Sequence, residues 1–155
     1  MAWAIEKAER EGMAVLVTRR HGHIGAAGIY TRLAAAHDLL PFVTSGVRLN
    51  LEEGDPIYRA AGASPMSFAA PAGEGPPLVF DAGVTHDIQG TDPPHRDEVA
   101  ALTPGIVLRL VGLGTVCQAW GGLLAGLPVD PDAPAGDWPA ANQGAMLIVC
   151  RLSIL

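Results

Sequence analysis

The residues best suited to chemistry lie in the stretch RRHGHIGAAGIY, residues 19–30, where an apolar run meets a helical pattern. His23 belongs to this stretch, and a histidine can exchange protons near neutral pH because its unperturbed pKa is about 6.5. Gly22, Gly25 and Gly28 are spaced by three and permit a positive φ or the close approach of a ligand. The stretch therefore predicts a catalytic turn, a phosphate cradle at a helix start, or a loop that needs glycine.

Each of these candidate residues also has a simpler interpretation. His23 is suited to acid/base chemistry, and the alternative is a histidine at a helix start that bonds only its neighbours. Gly25 and Gly28 either approach a ligand or allow close helix packing. Their spacing matches neither G-x-G-x-x-G nor a Walker loop. His21 is predicted to be exposed to solvent.

Other polar residues follow predicted strands. Asp81 comes after the strand-like PLVF and either orients His23 or a substrate donor through a charge-assisted hydrogen bond, or caps a helix or turn. Arg48 offers a guanidinium fork to a carboxylate or phosphate. Ser45 and Ser64 have no basic partner in the sequence that marks a nucleophile, which argues against a serine hydrolase.

Neither the histidines downstream nor the cysteines have the spacing of a metal site. The histidine and aspartate pairs within 86–87 and 95–97 lie in a proline-rich stretch and are predicted to be solvated. Cys117 and Cys150 are far apart in apolar surroundings and are predicted to be buried free thiols. We therefore predict no metal.

The composition favours one domain, residues 1–155, that buries surface against a partner. Hydrophobic residues make up 49% of the chain and charged residues only 17%, which is sparse for a small monomer. The formal net charge of −6 argues against nucleic-acid and anionic-membrane partners. The N-terminus is typical of a charged amphipathic helix rather than a signal peptide, so the cytoplasm is the expected compartment.

The hydrophobic pattern predicts helices interleaved with strands. The predicted helices are 2–11, 26–37 and an apolar helix within 110–129, and the predicted strands are 13–18, 39–45, a hairpin of 66–71 with 77–83, and a central strand from 145. Residues 85–98 are predicted to be an exposed loop. The 20 uncharged residues 110–129 are long enough to span a bilayer, but their glycines, Gln118 and Pro128 favour a core helix. These elements predict an α/β fold with a mixed, partly antiparallel sheet flanked by helices.

Several segments resemble one enzyme family in the same order along the chain. HIGAAGIYTRLAAAHDLLPFVTS resembles an H-F-G-x-A-G-x-Y segment with its helix and strand, GASPMSFAAP resembles G-T-N-P-L-A-F-A-A-P, and PPLVFDAGVT resembles P-P-L-V-L-D-M-A-T-S. VGLGTVCQAWGGLLAGL resembles K-G-Y-G-L-A with the following apolar helix, and NQGAMLIVC resembles a last strand. The chain is thus similar to the malate/L-lactate dehydrogenase-like oxidoreductases.

This resemblance implies the non-Rossmann nicotinamide-binding fold of that family, a homodimer, NAD or NADP as cofactor, and a small carbonyl or hydroxy-acid substrate. His23 matches the family's catalytic histidine, and Asp81 matches the aspartate of D-M-A-T-S. The expected cofactor- or substrate-binding residues are Gly25, Ser45, Arg48, Ser64 and Thr85.

The chain also departs from the family pattern. Val111 replaces the lysine of K-G-Y-G, and Ser64 replaces the asparagine of G-T-N-P. Members of the family also have an upstream helical region with S-H-G-x-x-R, and this chain is expected to begin after that region. A separate chain could supply that region. The alternatives to a dehydrogenase are therefore a homologue that performs cofactor-free acid/base chemistry, as a cyclase, isomerase or lyase, and a non-catalytic subunit.

Overall fold

A computed structural model describes residues 1–49, 51–55, 57–84, 93–128, 132, 138 and 140–154. Its strands are β1 Met13–His21, β2 Leu39–Val47, β3 Pro65–Ala70, β4 Leu78–Gly83 and β5 Gln143–Arg151. Its helices are α1 Ala2–Glu11, α2 Ala27–Ala35, α3 Pro93–Leu102 and α4 Pro104–Gln118, and α4 continues into a π-turn, Ala119–Leu123. Short 3₁₀ turns cover Ile57–Ala61 and Leu152–Ile154.

The five strands form one sheet in the order β1-β5-β2-β3-β4. The predicted α/β class is confirmed, and so is the central position of the last strand, which pairs with both β1 and β2. The prediction specified a mixed sheet, whereas all four described pairings are antiparallel. This sheet therefore differs from the parallel sheet of a Rossmann fold.

Helices α1 and α2 cover one face of the sheet, which we call the covered face. Ala4, Ile5 and Ala8 of α1 pack on Ala14 and Val149. Small side chains on the helix let the two backbones approach closely and still exclude water. Gly12 ends α1 with a φ of 90°, as the sequence predicted.

The opposite side of the sheet, the open face, is apolar and partly exposed. The register places Val15, Ile148, Phe42, Phe68 and Phe80 side by side across all five strands. Of this apolar row, the side chains of β1, β3 and β4 are exposed by 46%, 45% and 53%. On an ordinary protein surface, exposed apolar residues are scattered singly, whereas these side chains form one contiguous patch.

Helix α4 and the π-turn cover one end of the open face through glycine contacts. A Cβ on Gly46 would lie 2.7 Å from Cα of Gly122, and one on Gly121 would lie 2.7 Å from Cα of Ser45. No larger residue fits between these backbones without a shift. By length and apolar composition, the helix Pro104–Leu123 could also cross a membrane, but a helix packed on a sheet passes the same test.

Two predicted boundaries are wrong. Pro93–Leu102 forms α3, although residues up to 98 were predicted to be loop. Proline is compatible with the first helical turn because that turn needs no donor from it, so its presence marked a helix start rather than a loop. The apolar helix likewise begins at Pro104, six residues before the predicted segment.

Candidate active site

A β-bulge at the end of β1 redirects one histidine side chain. Arg20 has a φ of 58°, and the pairing of β1 with β5 shifts register between Arg19 and His21. Because side chains alternate along a strand, the additional residue turns His21 to the side of Thr18, on the covered face. A non-glycine residue in this conformation is strained, and such strain persists where the surroundings impose it.

Two hydrogen bonds hold the redirected ring of His21. Its Nδ1 lies 2.8 Å from the carbonyl oxygen of Gly22, and its Nε2 lies 2.9 Å from Oγ1 of Thr18. A carbonyl can only accept, so Nδ1 carries the proton and Nε2 of the neutral ring accepts from the Thr18 hydroxyl. The prediction that His21 is exposed is therefore wrong, since the bulge makes it partly buried.

His23 is exposed and is held by the residue that follows its turn. The amide of Gly25 donates to Nδ1 of His23 over 2.9 Å. Gly25 has a φ of 77°, a conformation that side chains with a Cβ rarely adopt. Because an amide can only donate, the proton of the neutral His23 ring is on Nε2, the opposite tautomer from His21.

Two cavities meet at His23. The larger has a volume of about 480 Å³, a size typical of small-molecule sites. Its lining is mostly apolar, with a polar end at Thr18, His21 and His23. The residues that contribute are Met1, Leu16, Thr18, His21, Gly22, His23, Ile24, Tyr30, Val43, Trp138, Ala145 and Leu147.

The smaller cavity, of about 200 Å³, brings together three residues predicted from the sequence: His23, Ser45 and Ser64. The two serines are 5% and 2% exposed. Gln143 also lines this cavity, and its Oε1 is buried with no hydrogen-bond donor among the described residues. A buried acceptor without a donor is costly, so a ligand with an N–H or O–H group would fit here.

Gln118 holds the edge of the smaller cavity and was missed by the sequence reasoning. It is 3% exposed, and its Oε1 accepts from the Ser64 hydroxyl at 3.0 Å and from the Val47 amide at 3.1 Å. Its Nε2 donates to the Val47 carbonyl. The available signal was a polar residue within an uncharged run, because a buried amide requires partners.

Asp81 caps α2 from across the fold. Its Oδ2 accepts from the Gly28 amide over 2.8 Å, and the residue at the cap position, Ala26, has no side-chain acceptor. Two roles were predicted for Asp81, and this contact corresponds to the role of a helix cap. Asp81 lines neither described cavity, and His23 bonds Gly25 instead. The carboxylate also occupies the helix start at which a phosphate cradle was considered.

The other predicted residues lie apart from the cavities or outside the described chain. Arg48 lines neither cavity, and its backbone amide donates to the carbonyl of Asn142 over 2.7 Å. Thr85 lies outside the described residues. Val111, in the lysine position of the family motif, is buried within α4.

The sequence predicted no metal site and two buried free thiols. Within the described ranges, no group of three or more His, Cys, Asp or Glu side chains could hold a metal ion. Residues 86–87 and the side chain of residue 95 are not part of what the structure describes. Both cysteines are free thiols, and burial raises the pKa of Cys117, while a hydrogen bond with Thr44 lowers it by less.

The antiparallel sheet, its flanking helices and the histidine turn after β1 define an α/β protein with two cavities at that turn. A family model described as malate/L-lactate dehydrogenase matches residues 1–108. The chain therefore belongs to the malate/L-lactate dehydrogenase family.

Individual relatives agree with this assignment. Malate dehydrogenase from Pyrococcus abyssi is 31% identical over 81 residues, which are 52% of this chain and 22% of that protein. The structure of malate dehydrogenase from Pyrococcus horikoshii aligns with a TM-score of 0.71 at 20% identity, over 98% of this chain and 49% of that one. Sulfolactate dehydrogenase from Methanocaldococcus jannaschii aligns with a TM-score of 0.66 at 17% identity, over 99% and 52%. The chain thus spans about half the length of these solved structures.

Proposed function

We propose that this chain forms part of a nicotinamide-dependent oxidoreductase that interconverts a small hydroxy compound, such as a hydroxy acid, and its carbonyl form. Family membership supports the reaction class. The position of His23 supports the site, because His23 lines both cavities and the N–H at its Nε2 can donate a hydrogen bond to a substrate oxygen. This position is the observation that carries the proposal.

The smaller cavity fits one end of a nicotinamide cofactor. The carboxamide of nicotinamide carries N–H donors, and Oε1 of Gln143 is a buried acceptor that has none among the described residues. Gln143, Ser45 and Ser64 would hold that group. When bound, the nicotinamide ring supplies the hydride acceptor or donor. Because Asp81 occupies the amide of Gly28, the start of α2 is not available to the cofactor phosphates unless the carboxylate moves.

The hydrogen bonds of His23 set a condition for its acid/base role. While the Gly25 amide donates to Nδ1, the neutral ring can donate a hydrogen bond from Nε2 but has no basic nitrogen left for the substrate. The ring must release that amide to accept a proton from a hydroxyl group. Gly25 is suited to such a local movement because it is exposed and no heavy atom would contact a Cβ there.

Nucleotide binding and turnover test the proposal separately. Titration with NADH and NADPH, followed by nucleotide fluorescence, is expected to show binding by the wild type and by His23→Ala. The turnover of a small hydroxy-acid substrate is expected to fall by at least about a hundredfold in His23→Ala, because a general acid/base group contributes at least that factor to the rate. His37→Ala is the matched control, since His37 is exposed and contacts Glu9 instead. Absence of binding at about millimolar nucleotide, the upper end of ordinary KM values, would reject the proposed nicotinamide-dependent activity.

Unchanged turnover in His23→Ala would reject the acid/base role alone. If a substrate is converted without nucleotide and that conversion depends on His23, the cofactor-free alternative replaces the proposal.

We further propose that the partner of the open face is a second copy of this chain. The row from Val15 to Phe80 carries no charge, so two copies can meet there without opposing like charges, although each chain has a net charge of −6. Val15→Lys is expected to give a monomer by light scattering coupled to size exclusion. Ile29→Lys, on the exposed side of α2, is the control and is expected to leave the dimer intact. A monomeric wild type would refute the dimer.

A further inference from the structure

We propose that the larger cavity binds a hydroxy compound with an apolar side chain, and that the Thr18 hydroxyl, oriented by His21, receives the ligand's hydroxyl group. Calling this ligand a substrate rests on the proposed function, whereas its binding to the cavity does not.

The lining of the cavity determines which side chain it accepts. Leu16, Ile24, Val43, Leu147 and Trp138 line it, and no Lys or Arg side chain is among the lining residues that the structure describes. Burial of an apolar side chain against these groups contributes about 25 cal/mol per Å². A carboxylate in the same place would lose its hydration without gaining a cationic partner. The cavity therefore favours an alkyl side chain over the second carboxylate of malate.

The polar end of the cavity selects a hydroxyl group. Because Nδ1 of the neutral His21 ring donates to the Gly22 carbonyl, Nε2 accepts a hydrogen bond from the Thr18 hydroxyl. With its own proton engaged in this way, Oγ1 of Thr18 offers lone pairs to an incoming O–H group. The bulge at Arg20 places both side chains on the same side of β1. His21 is a positioning residue in this arrangement, because it acts on the ligand through Thr18.

Three acids separate these two contributions. The probes are 2-hydroxy-4-methylpentanoate, 4-methylpentanoate, which lacks the hydroxyl, and malate, which replaces the alkyl side chain with a carboxylate. Binding to the nucleotide-free protein is measured by NMR titration, with the indole N–H of Trp138 and the methyl groups of Leu147 as reporters of the cavity. The first probe is expected to bind about three- to tenfold more tightly than the second, the range of one net hydrogen bond. It is expected to bind more than tenfold more tightly than malate. This difference in affinity corresponds to a binding free energy that is more favourable by about 1.4 kcal/mol or more.

Variants of Thr18 identify the group that recognises the hydroxyl. Thr18→Val keeps the shape and removes the hydroxyl, so it is expected to bind the first two probes equally, while Thr18→Ser restores the preference. Thr115→Val is the matched control, since the Thr115 hydroxyl donates within α4, to the Val111 carbonyl at 2.8 Å, and Thr115 is not among the described residues that line the larger cavity. A circular dichroism spectrum and melting curve for each variant establish that it is folded.

Several outcomes would overturn the inference. They are equal affinity for the alkyl and carboxylate probes, a preference that survives in Thr18→Val, and shifts outside the cavity only. Absence of binding by any probe at about 50 mM, beyond the millimolar affinity of even a weak small ligand, would do the same. None of these results depends on nucleotide binding, so failure of the cofactor proposal and failure of this one can be told apart.

Discussion

The carboxylate of Asp81 on β4 accepts a hydrogen bond from the backbone amide of Gly28 in the first turn of α2, over 2.8 Å. The two residues are 53 positions apart in the sequence. This contact ties the edge of the sheet to the helix that follows the histidine turn. It satisfies a donor that the helix leaves free and places negative charge at the positive end of the helix dipole.

Removal of the Asp81 carboxylate is expected to destabilise the fold. Asp81→Ala should lower the free energy of unfolding by about 1–2 kcal/mol, the usual cost of losing a charged helix cap. Glu74→Ala is the control, because Glu74 lies in the exposed turn between β3 and β4. Urea denaturation measures both variants. Equal stability in the two would contradict the cap.

Alanine at Gly28 is expected to act against the ordinary helix rule. Replacing a helical glycine normally stabilises a protein by about 0.5–1 kcal/mol. A Cβ on Gly28, however, would lie 2.7 Å from Oδ2 of Asp81 and would displace the cap. Gly28→Ala should therefore destabilise, whereas Gly112→Ala in α4, where no atom would contact the Cβ, should stabilise.

A double-mutant cycle measures the coupling at Gly28. In the Asp81→Ala background, Gly28→Ala should lose most of its cost, because the atom it displaces is gone. Additive effects would show that the two residues are not coupled.

Alanine at Gly25 is expected to disturb His23 as well as the backbone. Gly25→Ala places a side chain at a φ of 77° and should cost about 1 kcal/mol. Gly73→Ala is the matched control, because Gly73 has a φ of 60° and equally open surroundings in a distant turn. Both variants should lose similar stability. Only Gly25→Ala should change the ring nitrogen shifts of His23 in ¹⁵N NMR, and unchanged shifts would show that the amide does not set the tautomer.

Burial of Cys117 predicts a loss of stability at alkaline pH. Because burial raises the pKa of this thiol above its ordinary value of 9.0, the folded state retains the proton when the unfolded chain has lost it. The stabilisation is thus present below the unfolded pKa and is lost as pH rises through the folded pKa. Above about pH 9, the free energy of unfolding should fall more steeply with pH in the wild type than in Cys117→Ala. Identical slopes in the two proteins would contradict the prediction.

The sequence determined the local elements because their information is local. Helix α1 ends at Gly12, β1 begins at Met13 and the hairpin of β3 and β4 lies where the pattern predicts it. The resemblance of the motifs also predicted the family and brought His23, Ser45 and Ser64 into consideration, and these three residues share a cavity.

Tertiary structure alone decided the direction of the strands outside the predicted hairpin and the other residues of the site. A continuous apolar run such as β1 is equally compatible with parallel and antiparallel neighbours, so the antiparallel pairing depends on chain connections rather than composition. The bulge at Arg20 reverses the side of the sheet that His21 faces, and no periodicity predicts one additional residue in a ladder. Asp81 and Gln118 likewise acquire their roles from partners 53 and 54 residues away, Gly28 and Ser64, which only the folded chain brings within hydrogen-bond distance.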